Sequence, residues 1–122
     1  MIKRLLAALG VAALILALSA SPAHASFANC PAGTGCVYTG PLGQGSQGVI
    51  PYSGFGDGGC HNFVSPFNNN IESAVADYGN GHGLQFWTNA GCTGNTWILP
   101  AKQSVTWAGA PYVNAFSSFK IT

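Results

Sequence analysis

Charge is what this 122-residue sequence has least of: four Lys or Arg and three Asp or Glu, 6% of the chain. Beyond residue 25 only Lys102 and Lys120 remain against Asp57, Glu72 and Asp77, a formal charge of −1 over 122 − 25 = 97 residues. With no basic stripe there is nothing to displace counterions from a phosphate backbone, so nucleic acid is excluded as a partner. Three acids are a poor source for the paired carboxylates of a glycosidase, and solvated turn or edge positions account for them. No stretch beyond residue 18 approaches the roughly 20 apolar residues that span a bilayer. Helical periodicity of useful length is missing too, which removes helix bundles and parallel α/β folds. There is no Cys-x-x-Cys pair, so a zinc site completed by His61 and His82 has little to build on.

What is present begins with a secretory signature. Lys3 and Arg4 precede a 14-residue apolar run, 5–18, and the small-residue ending Ala23-His24-Ala25. We read 1–25 as a signal peptide cleaved after Ala25, and 26–122 as one domain, secreted, extracellular and free of the membrane after cleavage. Ninety-seven residues bury roughly 60% or more of their unfolded surface, enough for one core. The 3 Trp, 4 Tyr and 7 Phe all lie beyond residue 25, which excludes disorder. So do Cys30, Cys36, Cys60 and Cys92, an even set that in a small secreted domain reads as two disulfides. Three pairings are possible. Cys30 with Cys36 and Cys60 with Cys92 is favoured, because Pro31, Gly33 and Gly35 make the first loop easy to close.

Short apolar or alternating runs separated by Gly, Pro, Asn and Ser predict an all-β domain. The expected strands are 36–39, 48–51, 61–64, 71–78, 84–88, 96–99, 104–107 and 115–121. The stretch Asn68-Asn69-Asn70-Ile71-Glu72-Ser73-Ala74-Val75 returns as Asn114-Ala115-Phe116-Ser117-Ser118-Phe119, in each case an asparagine turn with a serine three residues on. Asparagine suits such a turn because it tolerates left-handed backbone. Tyr38 precedes Gly45 by seven residues and Trp87 precedes Gly94 by seven, an offset of 94 − 45 = 49. Matching Ser73 to Ser117 gives 117 − 73 = 44, so the first half is five residues longer, with 54–59 as the expected insertion. Two units of four strands make two Greek keys.

Motifs with sharper chemistry have bland explanations. Gly43, Gly45 and Gly48 match Gly-x-Gly-x-x-Gly, but a dinucleotide site needs a following helix and Pro51 prevents one. Cys60 and His61 are adjacent, so on a strand their side chains point to opposite faces rather than forming a nucleophile–base pair. His61 and His82 have glycine or asparagine neighbours and read as loop histidines. Tyr52, Phe55, Phe63 and Phe67 crowd the longer half, as core if buried and as a contact surface if exposed.

The duplicated unit of an aromatic, six intervening residues, a glycine and a later serine, carried by Tyr38, Gly45 and Ser73 and by Trp87, Gly94 and Ser117, resembles the βγ-crystallin fold. Gly43 and Cys92 stand where that family usually has a second aromatic. The opening Asn29-Cys30-Pro31-Ala32-Gly33-Thr34-Gly35-Cys36-Val37-Tyr38 is similar to that of small secreted actinobacterial metallopeptidase inhibitors, which themselves resemble βγ-crystallins. The resemblance implies a βγ-crystallin-like sandwich with two disulfides, no catalytic residue, and a monomer that occupies the cleft of an extracellular peptidase. Asn89, Ala90, Gly91, Cys92, Thr93 and Gly94 are the expected inhibitory loop, with Trp87 and Trp97 fixing its ends in the core. The alternative is an extracellular binding or antimicrobial protein, similar to killer-toxin-like members of the fold. The family's calcium pattern is matched in part by Asn69, Asn70, Glu72 and Ser73, followed by Ala74, and by Asn114, Ser117 and Ser118 after Val113. Each copy lacks one oxygen donor and neither has aspartate, so weak calcium binding or none is expected, and no other cofactor.

Overall fold

The computed structural model describes residues 27–122; the predicted signal segment lies outside the described residues. Eight strands follow one another: β1 (Thr34–Tyr38), β2 (Gln47–Pro51), β3 (His61–Asn62), β4 (Ser73–Ala76), β5 (Leu84–Asn89), β6 (Thr93–Leu99), β7 (Ser104–Thr106) and β8 (Ser118–Ile121). They form two four-stranded antiparallel sheets, ordered β2-β1-β4-β7 and β3-β8-β5-β6. Each of the eight expected strands has its counterpart. The sheets are not the two halves of the chain, because β3 crosses to the second sheet and β7 crosses to the first. Asn62 pairs with Ser118, and Thr106 with Ser73.

Alternation sets the faces. In β5, Leu84 and Phe86 are fully buried while Gln85 and Trp87 lie on the other side, as a strand with one covered face requires. Between the sheets Val37, Ile50, Ile71, Tyr78, Leu84, Phe86, Trp107, Phe116 and Phe119 form a common core. Phe86, Trp107 and Phe116 meet edge-on or tilted, at 4.7 to 5.3 Å between centroids, the geometry aromatic quadrupoles favour. Trp107 Nε1 is the one buried side-chain polar atom without a hydrogen-bond partner among the described residues.

A second, smaller cluster lies on the outer face of the first sheet. The arm before β1 folds back so that Phe27 meets Tyr38 edge-on at 5.7 Å, and the Cys30–Cys36 disulfide fixes it there beside Val75. The other bridge joins Cys60 to Cys92, so the favoured pairing is the one present. Among the described residues the second sheet has no such arm on its equivalent face, where half-buried Trp87 occupies the place of Tyr38.

Strands are shorter than alternation implied at 61–64, 71–78 and 115–121, the last two beginning later, at Ser73 and Ser118. Asn69 and Asn114 adopt left-handed backbone, φ 57° and 54°, and turn the chain just before β4 and β8. The expected insertion is real and slightly longer, spanning the nine residues 52–60 between β2 and β3 against the four residues 100–103 between β6 and β7. A short helical turn, Tyr52–Phe55, opens it. Phe55, Phe63 and Phe67 pack against the core, whereas Tyr52 stays 44% exposed.

Candidate functional site

The β5–β6 hairpin carries the residues expected to meet a partner. Asn89, Ala90, Gly91, Thr93 and Gly94 are exposed and Cys92 is half-buried. Left-handed backbone at Gly91, Cys92 and Gly94 (φ 72°, 58° and 93°) folds the loop back on itself. At Gly94 a Cβ would stand 2.6 Å from Thr88 Oγ1, so both backbone and space demand glycine. Four ties then hold the loop. Cys92 is bridged to Cys60 in the insertion. Ser118 Oγ donates to the Asn89 carbonyl at 2.6 Å and accepts from the Cys92 N–H at 2.9 Å. Gly91 N–H donates to Asn62 Oδ1 at 2.8 Å, and Asn95 N–H donates to Thr88 Oγ1 at 3.0 Å. Thr93 Oγ1 turns inward to donate to the Ala90 carbonyl at 3.1 Å.

The same device occurs 49 residues earlier. Ser73 Oγ donates to the Gly40 carbonyl (2.7 Å) and accepts from Gly43 N–H (2.9 Å), and Leu42 N–H donates to Thr106 Oγ1 (3.1 Å). Gly45 has φ 81° and its Cβ would lie 2.5 Å from Thr39 Oγ1, which itself accepts from Ser46 N–H. The hairpin is therefore first a part of the fold. What distinguishes the second copy is the disulfide that ties its tip to the insertion.

Two sequence expectations are corrected here. The serine equivalent to Ser73 is Ser118, not Ser117: both are wholly buried and make the same two hydrogen bonds, while Ser117 Oγ donates to Asn69 Oδ1 at 2.8 Å. Two adjacent serines satisfy the spacing, and only a contact across the sheet chooses between them. Nor do both tryptophans anchor the hairpin in the core. Trp97 packs against it, 5.2 Å from Tyr112, but Trp87 lies half-buried on the outer face because its β5 neighbours Phe86 and Leu84 take the inward positions.

The true register, 118 − 73 = 45, also reframes the calcium candidates. Asn69 N–H donates to the Phe116 carbonyl at 2.9 Å and Asn114 N–H to the Ile71 carbonyl at 3.0 Å, so the two turns face each other about a pseudo-twofold axis. Asn114, not Val113, is the partner of Asn69; Ala115 stands opposite Asn70 and Ser117 opposite Glu72. Asn69 Oδ1 already accepts from Ser117, Asn70 donates to the Pro66 carbonyl, and Glu72 is the single carboxylate. That set is a poor match to the six to eight hard oxygens calcium prefers. Among the described residues no three His, Cys, Asp or Glu side chains converge, and no cysteine is free.

The histidines are less exposed than loop residues would be. His61 lies in β3, its ring between Phe55 and Phe119, with Nε2 3.0 Å from Asp57 Oδ1. The Gly59 N–H and this imidazole together hold the exposed Asp57 carboxyl below its usual range. Asn62, which braces the hairpin tip, carried no signal in the sequence, since its partner lies 29 residues away.

No protein-family profile and no curated protein sequence matches the chain. Solved structures do. A domain from work on the evolution of the eye-lens βγ-crystallin fold superposes with a TM-score of 0.59 at 21% identity, covering 75% of this chain and 88% of that one. A βγ-crystallin from Ciona intestinalis gives 0.56 at 16%, covering 74% and 100%. A βγ-crystallin domain from Clostridium beijerinckii gives 0.54 at 17%, covering 72% and 95%. The fold is thus βγ-crystallin-like: two Greek keys, two sheets and two disulfides.

Proposed function

We propose that this chain is an extracellular binding protein whose partner is a peptidase of the metallopeptidase class, inhibited by reversible occupation of its cleft by the hairpin at 89–94. The observation that carries this reading is the bracing of that hairpin by a disulfide, Ser118, Asn62 and Thr88. A loop already fixed in its bound shape loses little conformational entropy on docking, which is how small rigid inhibitors gain affinity. Two disulfides agree with an oxidising, extracellular setting. Protein beginning at Ser26 is expected to inhibit a thermolysin-like zinc peptidase. Thr93→Arg, at an exposed position, is expected to raise the inhibition constant about tenfold or more while leaving the melting temperature close to wild type. Digestion of the protein, or no inhibition across several metallopeptidases, would remove the reading.

A second reading, contact with a cell surface by an antimicrobial protein, rests on a different feature. Between the edge strands β2 and β3 lies an apolar groove of about 170 Å³ lined by Phe55, Phe63 and Phe67, with Val49 43% and Val64 73% exposed at its rim. Killing of test cells, lost in Val64→Glu without loss of peptidase inhibition, would favour it. For calcium we propose millimolar binding or none; a micromolar isotherm abolished by Asn70→Ala would reverse that.

A further inference from the structure

A second cavity, of about 190 Å³, opens at one end of the sandwich between the arm before β1, the turn after β2 and the β4–β5 loop. It is lined by Gly33, Tyr52, Tyr78, Gly79, Asn80 and His82. Tyr52 belongs to the 52–60 insertion, which has no counterpart of its length in the second unit, so the fold itself does not require this wall. The exposed Tyr52 ring lies over the imidazole of His82, centroids 4.6 Å apart and planes 33° from parallel.

His82 is held from behind. Its Nδ1 is 2.8 Å from the Thr122 main-chain oxygen. That oxygen can only accept, so Nδ1 carries the proton, and in the neutral ring Nε2 presents its lone pair. Gly83 and Thr122 exchange two more hydrogen bonds, 3.0 and 3.1 Å, that fix this end of the chain. Tyr78 forms the buried wall, its hydroxyl donating to the Ile50 carbonyl at 2.6 Å. By contrast the Tyr52 hydroxyl, the Asn80 amide and His82 Nε2 have no partner among the described residues.

Gly79 is informative. Its backbone is not left-handed, and a Cβ there would meet nothing within 4 Å. Neither conformation nor crowding calls for glycine at this position, which lines the cavity. None of the five ionised side chains among the described residues, Asp57, Glu72, Asp77, Lys102 and Lys120, lines the site. A fixed anion or cation would find no opposite charge, and a purely apolar ligand would leave the amide and imidazole unanswered.

We propose that this cavity binds a neutral saccharide unit, its C–H groups packed against the exposed edges of the Tyr52 and His82 rings and its hydroxyls on Asn80 and His82 Nε2. A pyranose combines an apolar face with a rim of donors and acceptors, which is the combination these walls offer. The site is independent of the peptidase reading and lies on residues that reading does not use.

Titration of ¹⁵N-labelled protein with cellohexaose, chitohexaose and, as a stacking control, adenosine tests the assignment. With at least one oligosaccharide, saturable shifts are expected at Gly33, Tyr52, Gly79, Asn80 and His82. Tyr52→Ala is expected to weaken binding about tenfold and Tyr52→Phe far less, the difference separating stacking from the hydroxyl. Gly79→Val, which adds a side chain to a residue lining the cavity, is expected to abolish binding with the remaining spectrum unchanged. No saturable shifts with either oligosaccharide at millimolar concentration would overturn the proposal, as would binding of adenosine alone or binding that survives Gly79→Val.

Discussion

At the scale of the residue, Ser73 and Ser118 carry more of the fold than their size suggests. Each is wholly buried and holds one donor and one acceptor of a folded hairpin. Ser73→Ala or Ser118→Ala strands both backbone groups, so each is expected to lower stability by about 1–3 kcal/mol in denaturant melts. Ser117→Ala, which loses only a half-exposed contact to Asn69, is expected to cost less than about 1 kcal/mol. Equal effects at 117 and 118 would contradict the register. Tyr78 supplies a pH test. Burial raises its phenol well above the ordinary value of 10.0. As pH passes 10 the unfolded chain releases this proton while the folded chain keeps it, so the stability it contributes, full below pH 10, is lost as pH rises. Tyr78→Phe is therefore expected to be less stable at neutral pH by about 1 kcal/mol, yet to show a shallower alkaline decline. Gly45 and Gly94 were legible in the sequence because glycine itself marks a left-handed, crowded position. The choice of Ser118 over Ser117 was not, since it depends on a strand whose sequence neighbours say nothing about it.

At the scale of the element, the two hairpins are one design with different fastenings. The first relies on Ser73 and Thr106; the second adds a covalent tie to the insertion. Chain-entropy reasoning gives about 4 kcal/mol for the Cys60–Cys92 loop and about 2 kcal/mol for Cys30–Cys36. Cys60→Ala with Cys92→Ala is thus expected to lower the denaturant midpoint about twice as much as Cys30→Ala with Cys36→Ala. The former should also cost affinity for a peptidase beyond its effect on folding, if the hairpin is the contact. All eight strands were visible as apolar runs between turn residues, and their ends were not. Alternation continues through 71–72 and 115–117, but the backbone there is committed to the twofold contact between Asn69 and Phe116 and between Asn114 and Ile71.

At the scale of the molecule, the exchange of β3 and β7 makes each sheet a product of both halves. A fragment ending at residue 79 retains β3 without β8 and β4 without β7, exposing core residues such as Ile71 and Phe63. It is expected to remain unfolded by circular dichroism, while the whole chain melts in a single transition. The Greek-key duplication was legible from two repeated landmarks and one offset. The cavity at Tyr52 and His82 was not, because it requires residues 33, 52 and 78–82 to converge, and no local pattern encodes that meeting. Its aromatic wall arises where the two units differ, so comparing the units with each other points away from it.

The arm that folds over the first sheet has no counterpart among the described residues. A protein assembled from two copies of one motif would ordinarily offer every surface twice and could cross-link whatever it bound. Here Phe27 and the Cys30–Cys36 loop occupy one of the twin faces, and the groove and the cavity are walled by Phe55 and Tyr52 of the insertion, which the second unit lacks. A ligand that recognised the groove or the cavity would in that case meet each chain once, so its binding to a single chain would cap that ligand rather than cross-link it.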